Sequence, residues 1–251
     1  MRIIIALRLL VRYYHKIIPT YIMATLLMLV ATHVLPLFGA LLMLPVTLGV
    51  AYVMVYEVST IREREFFPLF IGFKRHEYGR NVWYLFLRQL VQYVPLIIGF
   101  FLTVVFAGYL PIIQVDVHFM VIGLNFFIFA IPSAIIALLV SMVPYILSDP
   151  LYNVVKANPL KTSALLLRGN YLRLIVIRLI FMPFILWSSS GLIVTLFSYY
   201  SRIFGGSGVS PTITTTWLFS APILFLFFTP WYQMTHAVLY GQIRHKLRDL
   251  I

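Results

Sequence analysis

The run IIPTYIMATLLMLVATHVLPLFGALLMLPVTLGVAYVMVY, residues 17–56, contains no lysine, arginine, aspartate or glutamate. An α-helix rises about 1.5 Å per residue and the hydrocarbon core of a bilayer is about 30 Å thick, so one crossing needs about 20 apolar residues. The run is about twice that length and is expected to cross twice. Pro36 and Gly39 mark the turn, since proline removes a backbone donor and glycine relaxes the chain.

Four more apolar stretches lie downstream: Leu90 to Leu110, Phe119 to Leu147, Leu174 to Phe197 and Trp217 to Tyr240. Together they predict an all-α polytopic bundle of six transmembrane helices forming a single domain, 1–251. Composition agrees. Of the 251 residues, 62% are hydrophobic and 10% charged, and the mean hydropathy is +0.97. A soluble domain is about half apolar and about a quarter charged, so most of this surface needs lipid as its solvent. The basic segment Met1 to Lys16 precedes an apolar run as in a signal peptide, yet no small-residue cleavage site and polar mature chain follow. A retained first span is the expectation.

Charge orients the bundle. Arginine and lysine accumulate in cytoplasmic loops, and 18 of the 19 basic residues fall before the first span, after the second, after the fourth (counting Arg178, which enters the fifth) and after the sixth. Arg202, in the polar loop Ser198 to Thr216, is the exception. Both termini are therefore expected in the cytoplasm. The net charge of +12 is spread beside apolar spans, whereas nucleic acid needs a contiguous basic face, so no nucleic-acid partner is expected. Cysteine is absent, which excludes disulfides, thiolate metal sites and a cysteine nucleophile.

Each pair of spans is preceded by a basic amphipathic stretch. Arg12 lies seven residues before Pro19, Arg88 seven before Pro95, and Arg178 five before Pro183. Pro68-Leu69-Phe70-Ile71-Gly72 aligns with Pro159-Leu160-Lys161-Thr162-Ser163, and Gly79-Arg80-Asn81 with Arg168-Gly169-Asn170. Three hairpin repeats, 1–65, 66–156 and 157–251, fit this pattern, each led by a basic helix in the inner interface. The alternative is that any chain with six inside-starting spans shows the same rhythm. Asp149-Pro150 and Asn158-Pro159 both read as an N-cap followed by the first helical residue, and Gly169 can end the second of these helices.

Phe70-Ile71-Gly72-Phe73, Ile131-Pro132-Ser133, the run Ser141-Met142-Val143-Pro144-Tyr145-Ile146-Leu147-Ser148-Asp149, Lys161-Thr162-Ser163 and Arg168-Gly169-Asn170 follow in that order. This resembles the integral-membrane family known as domain of unknown function 975, found mostly in Firmicutes, from about Phe66 to the C-terminus. The chain departs from the family at Ser133, where glycine is usual, and at Leu167, where methionine is usual. The resemblance implies a six-helix protein of the bacterial cell membrane. It also implies a distant similarity to the membrane domain accompanying some glycerophosphodiester phosphodiesterases, whose catalytic domain has no counterpart in this sequence. It leaves the activity open.

The acidic residues are Glu57, Glu63, Glu65, Glu77, Asp116, Asp149 and Asp249, none at the centre of a span. A coupled transporter usually places a carboxylate near the midplane. Prolines beside or within the spans could break helices around a binding site, or simply be tolerated where neighbours re-satisfy the backbone. Thr229, Gln233, His236 and Tyr240 share one helical face. They either line a cavity, with His236 binding a ligand, or hydrogen-bond between helices. Arg88 and Arg178 enter spans near the inner interface. They either snorkel to headgroups, or turn inward to pair with Glu57 and Asp149 or to form a basic pocket for a phosphate headgroup.

No His-Glu-x-x-His, phosphate-binding glycine loop or Gly-x-Ser-x-Gly appears, and Asp116 with His118 is too sparse for a metal. The sequence thus points to a non-catalytic membrane component with no cofactor and no metal. Its expected partners are the bilayer, anionic phospholipid at the inner leaflet, and a protein partner or second copy of itself. A transporter with its site between hairpins is the alternative; a membrane enzyme is the third reading. The candidate site residues are Arg88, Arg178, Asp149, Gln233, His236 and Tyr240.

Overall fold

The charge-free run folds into two helices, and its breaking point is where proline and the lack of a donor put it. In a computed structural model that describes residues 2–34, 36–58, 68–73, 77–109, 128–149, 158–184 and 228–245, α1 (Arg2–Arg12) leads into α2 (Tyr14–Val34). Helix α3 (Pro36–Val58) then packs against α2. Pro36 opens α3, as its missing N–H costs nothing at a first helical position. Gly39 lies inside α3 rather than at the turn. Helix α1 is amphipathic: Ala6 and Leu10 are buried while Arg8 and Arg12 are exposed. Tyr13 N–H donates to Leu9 and Ile17 N–H to Tyr13, so the ladder carries from α1 towards α2.

A 3-10 helix, Pro68–Phe73, lies against α3 at very short range. Gly49 makes this possible, since a Cβ there would stand 2.0 Å from the Leu69 carbonyl oxygen. Helix α4 (Tyr78–Tyr109) follows. Its 32 residues extend about 48 Å at the helical rise. Leu90, Val91, Val94, Ile97, Ile98 and Phe101 form an exposed apolar stripe on it.

Helices α5 (described over 128–139) and α6 (Val143–Leu147) are separated by a turn at residues 140–142. Pro144 explains the break: it has no N–H to give to Val140, and Val143 N–H bonds to the Val140 carbonyl instead. This leaves the Leu139 carbonyl and the Met142 N–H without helical partners. Ser163 supplies both. Its Oγ donates to Leu139 O at 2.6 Å and accepts from Met142 N–H at 3.2 Å. Ser163 is held on α7 (Pro159–Leu167), where Asn158 Oδ1 accepts from Leu160 N–H at 3.0 Å and Gly169, at φ +81°, ends the helix.

Helix α8 (described over 171–184) and helix α9 (described over 228–243) complete the set. The described residues are helical and turn structure, with no strand among them. Two stretches among them are long and apolar enough to cross a bilayer, Tyr78–Gly99 and Ile128–Leu147. The outer loop with Arg202, the Asp116–His118 pair and the helix expected after Pro150 lie outside the described residues.

The core runs through the seam of α3, α6, α7 and α9, with Met54, Ile146, Leu166, Leu167, Leu239 and Tyr240 essentially inaccessible. Trp231 Nε1–H donates to the Ile3 carbonyl at 3.2 Å and ties α9 back to α1. Phe181 of α8 meets the Trp231 and Tyr232 rings edge-on, with centroids 5.2 and 5.5 Å apart.

Candidate functional site

At the end of α6 the chain buries a carboxylate. Asp149 is fully buried, and α9 brings two donors to it one turn apart. Tyr240 OH donates to Oδ2 at 2.9 Å, Arg244 Nε–H donates to Oδ2, and Arg244 Nη2–H donates to Oδ1 at 2.7 Å. The guanidinium thus grips both oxygens as a planar fork, the strongest common geometry for this pair. Burial pushes the Arg244 pKa down, but the hydrogen bonds and charge of Asp149 outweigh this and hold it above its ordinary value. The Tyr145 and Tyr240 rings stack at 6.1 Å, and Tyr145 OH donates to the Gln233 carbonyl at 3.0 Å. Asp149 and Tyr240, both expected in the site, are therefore joined to each other. Arg178, offered as a partner for Asp149, is displaced from that role by Arg244.

A second group lies further along α9. Arg178 does not snorkel: its Nη2–H donates to the Ala137 carbonyl of α5 at 2.7 Å, and its Nε is buried with no hydrogen-bond partner. The Nε of Arg88 on α4 is likewise buried and unpartnered. Among the described side chains, which do not include that of Glu57, no carboxylate lies within ion-pair distance of either arginine. Their electrostatic neighbours are each other and the phenols of Tyr145, Tyr232 and Tyr93.

His236 sits beside them, 3% exposed, and both arginines act on it electrostatically. Its ring meets that of Tyr232 at 4.3 Å, Nδ1 lies 2.9 Å from the Tyr232 carbonyl, and Nε2 is buried with no partner. One turn earlier, Gln233 Oε1 is also buried and unpartnered.

The polar face of α9 thus divides its work. Thr229 meets the Tyr21 hydroxyl of α2, Tyr240 serves Asp149, His236 faces the arginines' neighbourhood with a free acceptor atom, and Gln233, one turn earlier on α9, keeps a second. Tyr145, Tyr232 and Arg244 belong to the site and were not expected there. Arg244 carried a signal, four residues after Tyr240 on the same helical face, but the positive-inside pattern already accounted for its charge.

The chain matches no family model, no curated protein and no solved structure. Its chemistry has to be read from the geometry. Among the described residues no anion pairs with Arg88 or Arg178, both half-buried with their Nε atoms inaccessible, a setting where an unpaired charge is costly. A separate open cleft of about 460 Å³ lies between α1 and α8, lined by Ile3, Ile5, Leu172, Val176 and Ile177, with Arg173 and Gln242 among its lining and neither Arg88 nor Arg178. Arg173 Nη1–H donates to Asn170 Oδ1 at 2.8 Å, which fixes that guanidinium at the helix start.

Proposed function

We propose that this protein is a multi-pass component of the bacterial cell membrane that holds an anionic phospholipid headgroup between Arg88 and Arg178 at the inner leaflet. The observation that carries the reading is the pair of buried, unpartnered Nε atoms on two helices with no carboxylate partner among the described residues. A phosphate supplies the missing charge and acceptor lone pairs, and guanidinium forks match its geometry.

The membrane setting is supported by the exposed apolar stripe of α4, which continues through Leu102 and Val105. A soluble monomer rarely exposes so large a contiguous apolar surface. Six crossings with both termini inside remain the architecture that the apolar runs and the basic loops favour. The repeat reading gains support from Asn81 and Asn170, aligned in the sequence, both buried, and each about two turns before an inward-turned arginine. The resemblance to the family known as domain of unknown function 975 rests chiefly on the run Ser141 to Asp149, the segment that carries Tyr145 and Asp149. The break between α5 and α6 does not by itself favour a transporter, because Ser163 already engages the backbone groups it frees.

Two experiments test the reading. Because the chain has no cysteine, single cysteines at Lys161 and Arg202 report sidedness directly. A membrane-impermeant thiol reagent should label Arg202→Cys in intact cells and Lys161→Cys only after lysis. In nanodiscs of mixed phosphatidylglycerol and phosphatidylcholine, the purified protein should retain phosphatidylglycerol about tenfold more strongly by native mass spectrometry, equivalent to about 1.4 kcal/mol. Arg88→Gln and Arg178→Gln should each reduce that preference. Equal retention of the two lipids refutes the headgroup site.

A further inference from the structure

The ligand that would satisfy two guanidiniums is simply an anion, but the groups around them ask for more. His236 Nδ1 lies 2.9 Å from the Tyr232 carbonyl, and a carbonyl oxygen can only accept, so Nδ1 carries the proton. In the neutral ring Nε2 is then a bare lone pair. It is buried, and no group among the described residues donates to it. Gln233 Oε1, three residues earlier on α9, is a second buried acceptor without a donor.

The cluster therefore combines unmet donors on α4 and α8 with unmet acceptors on α9. Neither set can satisfy the other where it stands, since all four atoms lack partners. A plain phosphodiester anion would answer the arginines and leave the acceptors empty. A ligand that also offers a hydroxyl answers both, and a buried polar atom left unpaired costs about 1–3 kcal/mol. An ammonium group would reach the acceptors too, but beside two guanidiniums it adds a third positive charge where the site already lacks a negative one.

We infer that the site on α4, α8 and α9 selects a phosphate ester that carries a hydroxyl donor, with the phosphate on Arg88 and Arg178 and a hydroxyl proton given to His236 Nε2 or Gln233 Oε1. This rests on the anionic-headgroup reading above and sharpens it to hydroxylated or monoester phosphates. Phosphatidylglycerol offers the donor on its glycerol, phosphatidate on the phosphate itself, and a soluble glycerol phosphate on both.

The test uses the whole protein in nanodiscs of dioleoyl phosphatidylcholine containing equal amounts of phosphatidylglycerol and phosphatidylmethanol, which share one negative charge and differ in the hydroxyls. Native mass spectrometry should show phosphatidylglycerol retained at least about fivefold over phosphatidylmethanol, the lower bound for one buried hydrogen bond. His236→Leu should erase that ratio while leaving both anionic lipids ahead of phosphatidylcholine, and His236→Gln, whose amide keeps an acceptor, should restore part of it. Equal retention of phosphatidylglycerol and phosphatidylmethanol, both above phosphatidylcholine, overturns the hydroxyl selection and leaves the anionic site standing. Equal retention of all three lipids overturns both. The wild-type comparison decides even where a variant fails to fold. Displacement of bound phosphatidylglycerol by millimolar glycerol 3-phosphate supports the chemistry with a soluble occupant. Persistence of the lipid against that competitor supports it with a membrane one.

Discussion

Replacing Arg244 with alanine removes two of the three described hydrogen bonds to a carboxylate that has no exposure of its own. Breaking a buried pair by deleting one partner costs about 3–5 kcal/mol, because the remaining charge loses its counter-ion where water is excluded. Arg244 itself keeps 21% exposure, so some water can reach the vacated edge, and the lower end of the range, about 3 kcal/mol, applies. For a chain of this size each kcal/mol moves the melting temperature by about 2–4 °C, which makes the expected loss about 6–12 °C. Thermal unfolding of the detergent-purified protein, followed by tryptophan fluorescence with Trp231 as a reporter on α9, measures it.

Two companions sharpen the result. Asp149→Asn removes the charge that needs compensation, so it should cost less than Arg244→Ala. The double variant Asp149→Asn with Arg244→Ala should be more stable than additivity predicts, since neither charge is left alone. A melting point within about 2 °C of wild type for Arg244→Ala, or full additivity in the cycle, would refute the claim that this pair fastens α9 to the end of α6.

Ser163→Ala strips the α5–α6 break of the hydroxyl that serves both Leu139 O and Met142 N–H. It should destabilise by about 1–3 kcal/mol, whereas Ser148→Ala, whose Oγ donates only to the Tyr145 carbonyl within its own turn, should cost less. Both read out in the same melting assay, and equal losses would count against the bridging role. Gly49→Ala sets a methyl 2.0 Å from the Leu69 carbonyl oxygen, and because a backbone must move to relieve it, a loss of at least about 1–3 kcal/mol is expected. An unchanged melting point would show that α3 and the 3-10 helix are not in contact. Gly79→Ala, where a Cβ meets nothing within 4 Å, is the neutral control.

What the sequence reveals here depends on whether the relevant force is local. The boundaries of α7 follow from Asn158, Pro159 and Gly169, since a cap and a left-handed stop act within a few residues. The junction between α2 and α3 follows from Pro36 for the same reason. The break at residues 140–142 is only half legible. Pro144 announces it, but the atom that makes it tolerable is Ser163 Oγ, 21 residues downstream of Met142. The partner of Asp149 is 95 residues away, and loop charge counts cannot tell an arginine that marks a membrane face from one that enters a core. Arg178 misleads in the opposite direction. Its place at the start of a span suggests a side chain reaching for headgroups, yet the Ala137 carbonyl draws it inward.

These two arginines acquire their meaning from each other's neighbours. Asp149 is the one fully buried carboxylate among the described residues, and Arg244 with Tyr240 holds it one to two turns along α9 from His236. It is thereby committed to Arg244 rather than to Arg178, one of the pairings that the sequence leaves open. A structural ion pair at Asp149 and an uncompensated cationic pair at Arg88 and Arg178 are then two consequences of one allocation. The fold commits its buried anion to fastening α9, and the cations one or two turns away remain available to an anion from outside the chain. Were Asp149 free to turn towards Arg178, the same residues would form a closed and self-satisfied bundle with nothing to bind. Arg244→Ala therefore carries a second expectation. By releasing Asp149 it should weaken retention of phosphatidylglycerol as well as stability, while Ser163→Ala, at comparable thermal cost, should leave lipid retention unchanged.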